Sequence, residues 1–349
     1  MKRSILILAV ISLFSCEKET TKSDQAEIIS FTATATGDFS PYLVQIDNEN
    51  NQVIVFANSD PDDIVFPVVL IPDIQISEGA SISPASGTTI AFDDDEDFIH
   101  FSVTAEDGEH SEDWILGVRG NQIPNSEFEF WHEETGMNGL VFSEPGRYEE
   151  SIIWATANMG TSIYSAYGTS AIVESENTLV QIETINTMAV PVASGTLFLG
   201  RFDVDGAIAN PTNPSAATKF GIPFCFKPAA IKFKYKYQSG EQLIQATLND
   251  PENLFGGFTI EDLTGSDAYS VFAVLEKRVG EEITVIGEMA VEGSETVDML
   301  TEMTVPIDYY SDEMPTHFYI AFASSTDGDL YRGAVGSTLI IDDLELVYE

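Results

Sequence analysis

Cysteine is nearly missing from this sequence of 349 residues, which holds only Cys16 and Cys225. With no C-x-x-C pair, neither a structural zinc site nor a dithiol redox site is indicated. Histidine is scarce too. His100, His110, His132 and His317 have no close metal-ligand spacing, and "HEETG" lacks the second His of a zinc-hydrolase helix. Positive charge is depleted, with 15 Lys plus Arg against 57 Asp plus Glu and a net charge of −42. Such a surface repels nucleic acid and anionic lipid headgroups, and leaves neutral glycans and divalent cations as partners. Solubility in a salty medium explains the same acidity without any partner. No G-x-S-x-G elbow, P-loop or dinucleotide fingerprint is found. No long stretch keeps a 3.6-residue apolar period.

What is present begins with an address. Lys2 and Arg3 precede "SILILAVISLF", an apolar run of 11 residues, too short to span a bilayer, where about 20 are needed. Leu13 and Ser15 before Cys16 resemble the lipobox of a bacterial lipoprotein signal. The resemblance implies a signal over residues 1–15, an acylated Cys16 and a polar tether over 16–25. Glu17, Lys18 and Glu19 resemble the acidic tags of surface lipoproteins. The expected location is the outer membrane, facing the periplasm or the cell surface. Cys225 in "PFCFKP" then has no disulfide partner and reads as a small core filler.

Beyond the tether, strand follows strand, with turn residues every eight to twelve positions. "EIISFTATAT", "NQVIVFA", "IVFPVVLI" and "FIHFSVTAEDG" are rich in Val, Ile, Phe and Thr. The fold class is all-β. Residues 26–120 have the size and strand count of an immunoglobulin-like sandwich without its disulfide. Pro84, Gly87 and the Asp107-Gly108 turn resemble spacer modules of surface lipoproteins in polysaccharide-degrading Gram-negative bacteria. The acidic run at 93–97 reads as a solvated loop. "RGNQIPN" marks a boundary, because Gly120 and Pro124 interrupt the strand pattern. A second unit occupies 125–349.

The second unit carries an ordered set of motifs: Asn125, Phe128, Glu129 and Trp131; then Trp154, Thr156 and Asn158; then Gly195, Leu197, Phe198 and Gly200. Lys227, Pro228, Tyr235, Lys236 and Tyr237 follow, and the set closes on Gly328, Asp329, Gly333, Gly336, Ser337, Leu339, Asp342 and Asp343. In this order they resemble the putative carbohydrate metabolism domain of exported bacterial lipoproteins. A Phe after Lys232 replaces the frequent Gly. The resemblance implies a jelly-roll sandwich akin to carbohydrate-binding modules, and a link to glycan use.

Candidate residues follow. In an extended "STLIIDDLELVYE", Ile340, Asp342, Leu344, Leu346 and Tyr348 share one face, which puts Asp342 among apolar neighbours. A buried carboxylate needs a partner. By resemblance to jelly-roll modules, Glu129 and Asp342 are equivalents of calcium ligands joining the first and last strands. Hydrogen bonding of Asp342 to backbone N–H groups is the other reading. "DVDG", with Asp203 and Asp205, has the look of a second calcium loop but lacks the third acid of a D-x-D-x-D-G loop, and reads as a plain turn. For a sugar, aromatic faces flanked by polar groups are required. Trp131, Trp154, Tyr164 and Tyr167, with Asn158, Arg201 and Arg332, are the candidates, core packing being the alternative for the aromatics. Tyr235 and Tyr237 share a face with Ile231 and Phe233 and read as core or sheet surface. The expected function is glycan binding without cleavage, within a surface glycan-uptake complex. A glycoside hydrolase using two acids and an adhesion or structural subunit are the rivals.

Overall fold

The computed structural model describes residues 22–37, 39–57, 64–147, 153–210 and 212–348. The signal, Cys16 and most of the tether lie outside the described residues. Among the described residues no helix is long and apolar enough to cross a membrane.

Among the described residues the N-terminal unit has eight strands: β1 (Ile28–Thr36), β2 (Leu43–Asp47), β3 (Gln52–Phe56), β4 (Val68–Ile76), β5 (Ser81–Ser83), β6 (Ile90–Phe92), β7 (Phe98–Thr104) and β8 (Ser111–Arg119). They make two sheets, ordered β1-β4-β6 and β2-β3-β8-β7-β5. Val53, Val55, Leu70, Phe92, Phe101, Val103 and Trp114 fill the layer between them. All five residues of β3 are buried. The reason is that "QVIVF" serves two cores: Val53 and Val55 face the N-terminal layer, whereas Ile54 and Phe56 belong to the core of the second unit. Phe56 meets Phe226 edge-on at 5.7 Å.

The second unit opens with β9 (Trp131–Thr135), β10 (Val141–Pro145) and β11 (Trp154–Thr156), then the one-turn helix α1 (Asn158–Thr161). Next come β12 (Thr169–Glu174), β13 (Asn177–Glu183), β14 (Thr196–Phe202), helix α2 (Val204–Ala209), β15 (Thr218–Phe220), β16 (Ile222–Pro223) and β17 (Ala230–Gln238). The remainder is β18 (Leu243–Leu248), β19 (Phe258–Asp262), β20 (Tyr269–Val279), β21 (Glu282–Gly293), β22 (Val297–Pro306), β23 (Asp308–Tyr309), β24 (His317–Ala323), β25 (Arg332–Ala334) and β26 (Thr338–Val347). An eight-stranded sheet runs β11-β14-β24-β20-β21-β23, with β15 on β14 and β16 on β24. A five-stranded sheet runs β12-β13-β26-β17-β22, and β19-β18-β25 and β9-β10 form smaller sheets. The two large sheets enclose Ile231, Phe233, Tyr235, Tyr237, Phe318, Phe322, Leu339 and Ile341. The fold is therefore an all-β sandwich. Tyr235 and Tyr237 are core, because Lys232, Lys234 and Lys236 take the alternate positions facing outward. Cys225 lies in the same core, where burial pushes its thiol up to about 12.

Two sequence expectations need correction. Alternation along β26 breaks at a β-bulge: its register against β17 shifts between Lys232 and Lys234, and Asp343 takes φ 46°. Leu339 and Ile341 on one side of the break, and Leu344 and Leu346 on the other, are all buried. Asp342 pairs with Lys234, so it lies on the sheet side that carries the lysines rather than in the layer between sheets. It is nevertheless fully buried.

The acidic run is not a solvated loop. Glu96 is buried, accepts the backbone N–H of Arg147 at 2.9 Å and is joined there by Asp94, 3.3 Å from the Arg147 guanidinium. That guanidinium covers the Phe130 ring at 3.5 Å. Desolvation pushes Glu96 up to about 7 and lowers the fully buried Arg119 to about 10. The N-terminal unit thus grips the second one at the end of β10. The segment after β8 is docked as well: the Gln122 amide exchanges hydrogen bonds of 2.8 and 2.7 Å with the backbone of Leu346.

Candidate functional site

The motif residues are mostly staples. Asn125 holds both backbone groups of Phe130 at 3.0 Å, turning the chain so that Phe128 plugs the core. The Trp131 indole N–H closes the turn on the Phe128 carbonyl at 2.9 Å, and Glu129 accepts the N–H of Thr178 at 3.1 Å. Asn158 spends its amide on Thr169, donating to its carbonyl at 2.8 Å and accepting its N–H at 3.0 Å. Gly195 is obligatory, since a Cβ there would stand 2.4 Å from the Gly168 carbonyl. Ser337 donates at 2.7 Å to the buried Asp267, whose carboxylate also accepts from Ser325 and the Ala334 N–H. "DVDG" is a helix start, not a free turn: the Asp203 carboxylate accepts the Gly206 N–H at 2.9 Å and caps α2.

A cleft of about 170 Å³ opens where the β9-β10 hairpin lies over β11 and β14. In the hairpin His132 pairs with Glu144 and Glu134 with Phe142. Paired residues share a face, so these four point the same way while Glu133, Thr135, Val141 and Ser143 are exposed. His132, Glu134 and Glu144 form one wall of the cleft; Trp154, Thr156, Gly200, Arg201 and Phe202 complete it. Gly200, at φ 138°, lets the strand pass Lys219, whose carbonyl a Cβ would meet at 2.0 Å.

Glu144 is the unusual member. It is 6% exposed, and its Oε1 accepts the Thr156 hydroxyl at 2.6 Å. Thr156 is itself aimed, because its oxygen accepts the N–H of Asn158 at 3.0 Å and its proton is left for Glu144. Among the described residues Glu144 Oε2 has no hydrogen-bond partner. Desolvation pushes the Glu144 carboxyl up to about 8, reinforced by nearby Glu134 and only partly offset by Thr156. At neutral pH Glu144 is therefore mostly a carboxylic acid. His132 Nδ1 lies 3.1 Å from the Gly146 carbonyl, which can only accept, so this nitrogen is the donor. Its buried Nε2 also lacks a partner among the described residues. A proton donor, a second carboxyl, an imidazole nitrogen and a guanidinium thus line one small polar cavity.

A family model described as the putative carbohydrate metabolism domain matches residues 127–347. The chain belongs to this family. No curated protein matches the sequence. Among solved structures the chain is similar to a putative glycoside hydrolase from Bacteroides thetaiotaomicron VPI-5482, with 24% identity, a TM-score of 0.54, and coverage of 95% of this chain and 99% of that one. It is also similar to a putative glycoside hydrolase from Bacteroides vulgatus ATCC 8482, with 20% identity, a TM-score of 0.53, and coverage of 64% and 97%. At these identities the likeness shows a shared fold.

Within this carbohydrate metabolism domain the anticipated site residues do not form one cluster. Trp154 and Arg201 line the cleft. Trp154 is 5% exposed, donates its indole N–H to Pro124 at 3.0 Å and stands edge-on to Phe128, so it is a wall and not an open stacking platform. Asn158 is buried, with its amide turned to both backbone groups of Thr169, so it is not presented to a sugar. Tyr167 stacks on Phe142 at 5.2 Å and is not among the cleft-lining residues, Trp131 is half-buried against the core, and half-buried Tyr164 ends a 3-10 turn. Arg332 pairs with Asp327 at 3.2 Å on β25, in a different sheet from the cleft strands.

Sequence reading missed His132, Glu134, Glu144 and Thr156 as a group. The available signal was the alternation in "WHEET", which puts His132 and Glu134 on one face. Nothing local marked Glu144 out from the other acids.

Glu129 and Asp342 are each hydrogen-bonded to one of two neighbouring residues of β13. Thr178 bonds Glu129, and the Asn177 amide donates to Asp342 Oδ2 at 2.8 Å. Asp342 Oδ1 is buried without a partner among the described residues, and burial raises the carboxyl despite the Asn177 bond. Two acids and an uncapped oxygen suit a hard cation. Among the described residues no group of three or more His, Cys, Asp or Glu is assembled, so backbone and amide oxygens would complete the shell.

Proposed function

We propose that this chain is an exported, lipid-anchored protein of carbohydrate utilisation that takes a neutral glycan into the cleft between the β9-β10 hairpin and β14. The observation that carries the reading is a polar cavity, walled by Trp154 and by acid, imidazole and guanidinium groups, within a domain of the carbohydrate metabolism family. Sugars are held by hydrogen bonds from such groups beside an apolar ring. The net charge of −42 favours uncharged glycans over phosphorylated or sulfated ones. Arg201 is the exposed donor at the rim. Membrane attachment is through Cys16, placing the domain in the outer membrane as a component of glycan uptake; loss of palmitate labelling in Cys16→Ser tests the anchor.

The test of recognition is electrophoresis in gels containing single polysaccharides. The protein is expected to be retarded by at least one neutral glycan, and Arg201→Ala to restore most of its mobility. Equal mobility across a broad panel refutes glycan recognition. Binding without cleavage is the simplest form of this reading. Hydrolysis is the second, and the acid form of Glu144, a lining residue of the cavity with one oxygen buried and unpartnered among the described residues, favours it. We further infer that Glu129 and Asp342 hold a structural calcium ion, supported by the uncapped Oδ1 of Asp342.

A further inference from the structure

We propose that Glu144 and Glu134 are a catalytic pair that hydrolyses the terminal glycosidic bond of the glycan held in the cleft, Glu144 as proton donor and Glu134 as base. This rests on the glycan reading above and adds chemistry to it. Three observations carry the assignment. Glu144 is buried, is oriented by Thr156 through one oxygen, and has its other oxygen unpartnered in a wall of the cavity. Glu134 lines the same cavity two residues along the paired strand, on the same face, which sets the two Cβ atoms about 7 Å apart. Hydrolysis by two acids needs carboxyl groups roughly 5 to 10 Å apart, with room for a sugar carbon and a water, and side chains that leave the hairpin from Cβ atoms about 7 Å apart can reach that separation. The cavity of about 170 Å³ is smaller than the roughly 300 Å³ at which pockets for larger ligands begin, so it takes one sugar at the end of a chain.

The step balances as follows. The Glu144 O–H proton passes to the glycosidic oxygen as the bond from that oxygen to the anomeric carbon breaks, and the oxygen leaves as the hydroxyl of the shortened glycan. Water forms the new bond to the anomeric carbon and gives a proton to the Glu134 carboxylate. Transfer of one proton from Glu134 to solvent and uptake of one by Glu144 restore the site. Burial serves the donor by keeping its proton at neutral pH; Glu134 and His132 stand beside the donor on the hairpin wall, and Thr156 and Arg201 line the cavity from β11 and β14. His132 Nε2 and Arg201 bind sugar hydroxyls in this arrangement and transfer no proton.

The experiment uses the full chain, Glu144→Gln and Glu134→Gln on two probe sets. One is a panel of 4-nitrophenyl α- and β-glycosides of glucose, galactose, mannose, xylose and arabinose. The other is unmodified oligosaccharides of the same sugars. Nitrophenolate leaves without a proton, whereas an unmodified sugar does not. The parent is expected to release monosaccharide from both kinds. Glu144→Gln should lose at least about 100-fold in kcat/KM on unmodified oligosaccharides and keep most of its turnover of the matching nitrophenyl glycoside. Glu134→Gln should lose both. Folding of each variant is verified by its melting transition. Parental activity of Glu144→Gln on unmodified oligosaccharides overturns the assignment. Binding of a glycan that the parent never cuts overturns catalysis and leaves recognition standing. Neither binding nor cleavage removes both.

Discussion

Replacing Glu144 by Gln should stabilise the protein, by an amount that grows with pH. Glu144 shifts from the ordinary glutamate value of 4.5 to about 8 in the fold, so the native state holds a proton that the unfolded chain has released. The sign follows from linkage: the raised group contributes fully below 4.5, and that contribution is lost as pH rises through about 8. Each pH unit across this interval costs about 1.4 kcal/mol, so the fold gives up about 3 kcal/mol by neutral pH and about 5 kcal/mol above pH 8, as orders of magnitude. Glutamine keeps an acceptor for the Thr156 hydroxyl and never ionises. The variant and the parent should therefore have nearly equal stability at about pH 5 and differ by several kcal/mol at about pH 8.5. Urea denaturation at the two pH values measures this directly, and Glu96 titrates equally in both proteins and cancels. A stability difference that is the same at both pH values would refute the buried-acid argument. The gain in stability would mark a cost that the native chain bears at its cleft.

Two further outcomes test the supports of the site. Arg147→Met removes the cation beside Glu96 and Asp94, so Glu96 rises further and the loss should be about 1 to 2 kcal/mol near pH 8, smaller near pH 5 where Glu96 is neutral, by urea denaturation. An equal loss at both pH values would mean that packing on Phe130 dominates. Calcium at a hundredfold excess over its Kd should stabilise the parent by about 3 kcal/mol and leave Asp342→Asn unchanged; a parent whose melting ignores both calcium and chelator refutes the cation.

The sequence by itself determined that the protein is built of strands, because period-two patterns such as Ile231, Phe233, Tyr235 and Tyr237 against Lys232, Lys234 and Lys236 have only one apolar face to bury. Its ordered motifs likewise identified the family, since each marks a staple that the sandwich needs: Asn125 on Phe130, Asn158 on Thr169, Ser337 on Asp267. Tertiary structure alone decided three things. It placed a bulge in β26 that moved Asp342 off the apolar layer, and it divided "QVIVF" between two cores. It also selected Glu144 from 57 acids. Local pattern records which side of a strand faces away from water, but the register of pairing and the depth of burial arise from segments far apart in the chain. An acid keeps its proton because of what those distant segments cover.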